Sequence, residues 1–480
     1  MVQVSIAVTF IIFLLLFTVV GIYSATRKQN TTTDYLLADR NVNPWLIALS
    51  AMATGQSGFL FIGQIGFAYK LGISSLWLTI GWLIGDYLAW YFVFQPLREI
   101  SEQTACDTVS SFLSQNSKSY NAISKHKQKI IAIISALITI IFLGSYAAAQ
   151  LIAGSKALNA VFGWDYNLGI IIGAIIVVVY CFSGGIRASI WTDSLQGIIM
   201  VVSLLLLLIV AVINCGGIAQ TWQSLAAIDP GLISWNSEQQ PWGFAPFFIG
   251  WIVAGFGVVG QPHILVRGMA INSAEHIGFA RNLKTVLGLV NSMAAMGIGL
   301  TARVIMPDLM TSGDPELALP YLSLELLPVS LVGLMLAGLF SSTISTADSQ
   351  ILSCSAALTQ DVFPHAANSY KWAKVGTLTI TAVILAIALT VGNNVFALVT
   401  FSWSALASGL GPLLVLRVGQ QPVSPPTAIA MMIVGIATAL VWNLGFNLSD
   451  AIYEVLPGMA AGIAVYGIAR FFSYYKLFRF

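Results

Sequence analysis

Charge is what this 480-residue chain has least of. Only 8% of its residues are Asp, Glu, Lys or Arg, against roughly 25% in soluble domains. A water-facing surface cannot be covered from that supply, which excludes a soluble enzyme, a nucleic-acid binder and a disordered scaffold. Histidine is as scarce. His126, His263, His276 and His365 are scattered, with no acids at metal-ligand spacing, which argues against a membrane enzyme. Cys106, Cys181, Cys215 and Cys354 lie far apart without a C-x-x-C pair, so neither a disulfide framework nor a metal centre has support. They read as small buried hydrophobes. Also missing are Pro/Ser linkers long enough to divide the chain.

What the chain has instead is apolar length. Hydrophobic residues make up 57% of it, and the mean hydropathy is +0.85. A helix needs about 20 apolar residues to cross the hydrocarbon core, which gives roughly thirteen spans. They fall near 3–24, 43–67, 73–97, 129–157, 165–183, 189–214, 242–264, 284–306, 326–354, 373–391, 394–416, 425–447 and 451–473. The first has too long an apolar run, and no basic leader, to be a cleavable signal peptide, and Arg27 and Lys28 follow it. With the N-terminus outside, all of the 21 basic residues except Lys70, Lys156 and Arg303 fall on the cytoplasmic side. An even number of spans would destroy that bias. The positive-inside rule therefore predicts an odd count, N-out and C-in, in one membrane domain over 1–480.

Two spans carry helix breakers at mid-depth. The second contains Thr54-Gly55-Gln56-Ser57-Gly58, and the seventh contains Gly255, Gly257 and Gly260, followed by Gln261-Pro262-His263. Glycine opens backbone angles and proline lacks the donor that continues the ladder. Unwinding is predicted over 53–58 and 255–262. These breaks open two successive blocks of five spans, 43–214 and 242–416, leaving 3–24, 425–447 and 451–473 peripheral. Interrupted helices at matching positions of two halves point to an inverted-repeat transporter. Glycines that only permit close helix packing are the alternative.

Several short motifs then line up in order: Leu49-Ser50-Ala51, Gln56-Ser57-Gly58, Gly184-Gly185, Trp191-Thr192-Asp193-Ser194-Leu195-Gln196, Gly260-Gln261-Pro262-His263-Ile264-Leu265 and Ser345-Thr346-Ala347-Asp348-Ser349-Gln350. In this order the chain resembles the sodium/solute symporters, nearest to their sodium/proline branch, from Asp34-Tyr35-Leu36 to the last span. The resemblance implies an all-α membrane protein with a LeuT-like 5+5 core in spans 2–11. It further implies import of a small organic solute, proline or another amino acid, by alternating access across a bacterial cytoplasmic membrane. Sodium is the implied coupling ion, with no organic cofactor and no obligatory protein partner. Proton coupling in the same fold, or a solute-sensing transceptor, are the other readings.

Matching positions give the implied sites. The main sodium site takes backbone oxygens of Ala53, Gln56 and Ser342 with the hydroxyls of Ser345 and Thr346, an all-oxygen set suited to a hard cation. Back-bonding of those hydroxyls to the preceding turn is the plain alternative. Asp193 and Asp348 sit inside spans, where an ionised aspartate costs about 2.5–3.5 kcal/mol, so each is a functional candidate. With Ser345 and Ser349 they form a candidate second cation site. Alternatively, Asp193 pairs with Arg187 or caps a helix end. A solute carboxylate is expected at the backbone donors of Ser57 and Gly58, with Tyr146 and Gln150 facing the same cavity and Pro262 closing it. Helix packing would also explain each of these.

The proline branch places an aspartate where this chain has Gly55, and aromatics where it has Ala254 and Val258; Phe59 stands for a tryptophan. A differently shaped pocket is expected. Asp86, in the third span, is a further mid-membrane acid that can carry a proton or help hold a cation; an interfacial or water-exposed position is the alternative.

Overall fold

Within a bilayer no water satisfies a bare backbone, so the chain must close its hydrogen bonds inside helices. The computed structural model describes residues 2–26, 31–115, 124–235, 242–366, 369–392 and 394–477, and it is helical nearly throughout. Among the described residues there is no strand, only an isolated bridge between Val42 and Ile271. Of the basic residues counted to one side, Arg27, Lys28, Lys118 and Arg479 lie outside the described residues.

Ten helical stretches among the described residues are long and apolar enough to cross a membrane, or eleven if one bent pair counts as a span. One of them, Pro44–Gln103, has 60 residues. Straight, it would run about 90 Å, three times the hydrocarbon thickness. The chain instead breaks at Gly72, with φ 66° and ψ −143°, where a side chain would collide with the Leu232 carbonyl. The 49-residue helix Tyr166–Asn214 breaks similarly at Gly185, with φ 61°.

Polarity is arranged inside out. Large apolar side chains such as Val4, Ile12, Ile209 and Val383 are exposed around the rim, more apolar surface than a water-soluble monomer tolerates. The central helix Val329–Ala356 instead buries Ser342, Ser345, Thr346, Asp348, Ser349 and Gln350. Helices also approach closely where side chains are missing. The Leu76–Ala89 and Phe244–Phe256 helices touch backbone to backbone, because a side chain on Gly85 would strike the Ile252 carbonyl and one on Gly255 the Trp82 carbonyl. Small residues permit such contacts in membranes.

Both anticipated breaks occur within their ranges. Asn43 caps the first helix, accepting from Trp45 N–H at 2.9 Å, with Pro44 in its first turn. That helix, Pro44–Gly58, is interrupted at Ser57 (φ 53°, ψ −177°). The Phe244–Phe256 helix tightens through Gly257–Gly260, leaves helical geometry at Gln261 (φ −105°, ψ 95°), and restarts with Pro262. The two parts are bent by 62°.

Candidate functional site

A non-glycine residue at positive φ costs about 1–3 kcal/mol unless its surroundings hold it. Ser57 is held from two sides. Its hydroxyl accepts from Phe59 N–H at 3.1 Å and from the Tyr146 hydroxyl at 3.1 Å. Beside it, Gly58 N–H donates to Gln150 Oε1 at 2.8 Å. Four of the five residues anticipated for the solute thus meet at the break. They do not share one cavity wall. Tyr146 lines the central cavity, whereas Ser57, Gly58 and Gln150 stand behind its wall, with Gly58 packed against Ala153 and Thr343. Pro262 lines a different cavity, with Tyr35, Asp107 and Thr108, because the turn at Gln261 rotates it away. The backbone donor expected for a carboxylate is already taken by Gln150.

Next to the break, two helices exchange oxygens. Thr346 Oγ1 donates to the Thr54 and Ser342 carbonyls, both at 3.0 Å, and Ser345 Oγ lies 3.3 Å from the Ser342 carbonyl. Thr54 Oγ1 reaches the Ser345 carbonyl at 3.3 Å. Back-bonding is therefore present, but so is a contact from Thr346 across to the broken helix. Ala53 is buried in the same turn. The Gln56 side chain points elsewhere, donating to the Gly288 carbonyl at 3.0 Å and accepting from Asn291 at 2.7 Å.

One helical turn away lies a buried charge cluster. Asp193 Oδ2 accepts from Ser50 at 2.7 Å, Thr54 at 3.3 Å and Arg267 at 2.7 Å. Arg267 also donates to Ser50 at 2.8 Å, to the His263 carbonyl and to Ser349. Asp348 accepts from Ser189 at 3.1 Å and Ser349 at 2.8 Å. Asp193, Asp348, Ser345 and Ser349 are thus brought together, as anticipated. The partner of Asp193 is not Arg187, which pairs with Asp34. It is Arg267, assigned from sequence to a cytoplasmic loop yet 0% exposed here.

Lys284 is buried and paired in the same way. Read as a cytoplasmic residue, it is buried on the Ile277–Ile305 helix and paired with Asp86. The pair lines the central cavity together with Gln56, Trp82, Tyr146 and Trp403, so Asp86 is buried and not alone. Lys156, counted to the other side, is also buried, 2.6 Å from Asp314 and against Glu316. Sequence reasoning missed Arg267, Lys284 and Thr54. Only the polar cluster around Thr54 gave any signal.

Aromatic rings close the central cavity at one end. Phe59, on its wall, lies 5.9 Å from Trp82 and 5.3 Å from Phe396. Trp82 lies 4.7 Å from Trp403 and 6.1 Å from Trp251. Among the described residues no group of three or more His, Cys, Asp or Glu side chains is disposed to hold a metal ion. The oxygens that could take a cation are carbonyls, hydroxyls and the Asp193–Asp348 pair.

Comparison with known proteins identifies a family and a fold. The profile of the sodium:solute symporter family matches residues 35–435. The high-affinity proline transporter PutP of Bacillus subtilis is 31% identical, covering 92% of this chain and 93% of its own length. The osmoregulated proline transporter OpuE of the same organism is also 31% identical, covering 97% and 94%. A sodium/proline symporter of Staphylococcus aureus is 29% identical over 95% and 90%. Among solved structures, a Na+-coupled sialic acid symporter in a substrate-bound outward-open state superposes with a TM-score of 0.79 at 19% identity, covering 96% of each chain. Mhp1, a nucleobase-cation-symport-1 family transporter in a closed conformation, gives 0.55 at 14% identity, covering 91% and 94%.

Proposed function

This chain belongs to the sodium:solute symporter family, and on that premise we propose that it imports proline, or another small amino acid, together with sodium. It is a multi-pass membrane transporter and not an enzyme. Its residues make and break no bonds; they bind, select and move. The proposed setting is the cytoplasmic membrane of a bacterium, with thirteen spans, N-out and C-in. Repeats near 43–214 and 242–416 form the proposed rocking core, and 3–24, 425–447 and 451–473 the periphery.

The observation that carries the sodium reading is the set of oxygens shared by the broken helix and the Val329–Ala356 helix. A hydroxyl that donates its proton to a carbonyl keeps lone pairs for a cation, and sodium takes hard oxygen ligands. The Thr54 and Ser342 carbonyls, the Ser345 and Thr346 hydroxyls, and the Ala53 and Gln56 carbonyls make up the proposed main site. An ion there would tie the broken helix to its neighbour and shift the population towards the state that binds it better. One charge crossing 100 mV yields about 2.3 kcal/mol for this purpose. Asp193, Asp348, Ser345 and Ser349 form the proposed second cation site. Two carboxyl groups face one guanidinium there, one acid more than Arg267 pairs with.

Proline as the solute draws on the named activities of the relatives. The solute is proposed to sit in the central cavity against Tyr146. Ser57, Gly58 and Gln150 would reach it once the Gly58–Gln150 hydrogen bond opens, and Pro262 would close the path on its own side. A second reading, proton in place of sodium, draws on one observation: the cavity carries the Asp86–Lys284 pair, while Gly55 offers no acid.

Uptake of labelled proline into proteoliposomes, with sodium and proton gradients imposed separately, tests both. Sodium-driven uptake is expected, and Ser345→Ala with Thr346→Ala should abolish it while the protein still folds. Uptake driven by protons alone would move the coupling to Asp86. No uptake under either gradient would remove proline as the solute.

A further inference from the structure

Beyond the ring partition lies a second cavity, of about 350 Å³, at the end of the bundle built from residues 70–74 and 443–454. Its wall is aromatic, with Phe67, Phe247, Trp251, Phe396 and Tyr453 all facing it. Trp251 and Tyr453 stack with centroids 4.7 Å apart, and Phe67 stacks on Phe396 at 5.1 Å. Two carboxylates line the same space. Asp450 is exposed at the rim, but Glu454 is only 1% exposed. Asn443 donates to Glu454 Oε1 at 3.2 Å and the Ser404 and Ser449 hydroxyls lie beside the carboxyl group, while Oε2 has no donor at hydrogen-bond geometry among the described residues. Lys70 also borders the cavity, and none of the ion pairs among the described residues joins it to either carboxylate.

A buried carboxylate oxygen without a donor is unfavourable by more than a hydrogen bond is ordinarily worth. Ring faces attract cations electrostatically, the more so when water is excluded. One class of ligand satisfies both: a small organic ammonium, whose charge meets Glu454 and whose carbon atoms cover the rings. A bare inorganic cation would leave the rings uncovered, and an uncharged solute, even one with a hydroxyl to donate, would leave the carboxylate charge without a counter-charge.

We propose that this cavity is a binding site for small organic ammonium ions, distinct from the central cavity. The proposal does not depend on which solute is carried or which ion drives it. Phe396 belongs to this wall and also packs against Phe59, with centroids 5.3 Å apart, so an occupant bears directly on the partition between the two cavities.

The test uses the purified full-length protein carrying Met310→Cys, because Met310 borders the cavity and is 45% exposed. Labelling by an uncharged maleimide is followed, after subtracting the unsubstituted chain's background. Tetramethylammonium should slow the labelling, and tert-butanol or an equal concentration of potassium should not. Adding Glu454→Gln should raise the half-protecting concentration about tenfold, and Trp251→Leu should raise it several-fold. Equal protection by tert-butanol or potassium would overturn the proposal. So would protection unchanged in Glu454→Gln or, should that variant fail to fold, in Trp251→Leu.

Discussion

The chain holds two buried charge centres that are built on opposite plans. Asp86 and Lys284 are matched one to one and line the central cavity, with Lys284 Nζ 5.2 Å above the Trp90 ring. Asp193, Arg267 and Asp348 are mismatched, two to one, and wrapped in hydroxyls from Ser50, Thr54, Ser189 and Ser349. A pair on a cavity wall can exchange its partner for a solute without any helix moving. A sealed cluster can change partners only when its helices separate. The first plan suits recognition, and the second suits a joint between moving parts.

The largest expected effect comes from breaking the sealed cluster. Arg267→Gln strands two carboxylates and should lower stability by about 3–5 kcal/mol. Thermal melting in detergent would register it, and Arg267→Lys should lose less, since it keeps the charge but not the forked geometry. Breaking the cavity pair comes next. Asp86→Asn leaves Lys284 buried without a counter-charge and should fall at or below the low end of that range, about 3 kcal/mol. Asp86→Asn with Lys284→Met should recover most of the melting temperature, as replaced ion pairs often do, while uptake stays impaired. Restored uptake would make the pair purely structural. The smallest effect sets the scale. Glu102→Gln breaks the pair with Arg98, in which Glu102 is 60% exposed, and should change stability by less than about 1 kcal/mol.

Why one centre was half visible in the sequence, and the other barely so, is a matter of where the partners sit in the chain. The breaks at Ser57 and Gln261 were legible because glycine and proline act locally, through their own backbone angles. The Ser345–Thr346 pair was legible because both hydroxyls lie on one helix. Arg267 and Lys284 were not. A basic residue near a helix end reads as snorkelling or cytoplasmic by its position alone. Its partner, Asp193 or Asp86, lies 74 or 198 residues away and is found only by packing. Pro262 was read correctly as a breaker, yet it lines a different cavity from Tyr146, because local chemistry predicts that the chain turns but not which way. In the same way, Ser57 and Gln150 were rightly brought together, yet the tight packing of Gly58 against Ala153 and Thr343 decided which side of the wall they occupy.

The close approach of Gly85 to the Ile252 carbonyl, and of Gly255 to the Trp82 carbonyl, bears on how force travels through this molecule. Where backbone presses on backbone, the two helices have no side-chain layer to repack when one rolls on the other, so they are expected to turn together. Trp251 rides on one, Trp82 on the other, and Asp86 sits one turn beyond Trp82. A push on the ring at one face therefore reaches the carboxylate at the other with little slack. The stiffness of that lever comes from two missing methyl groups.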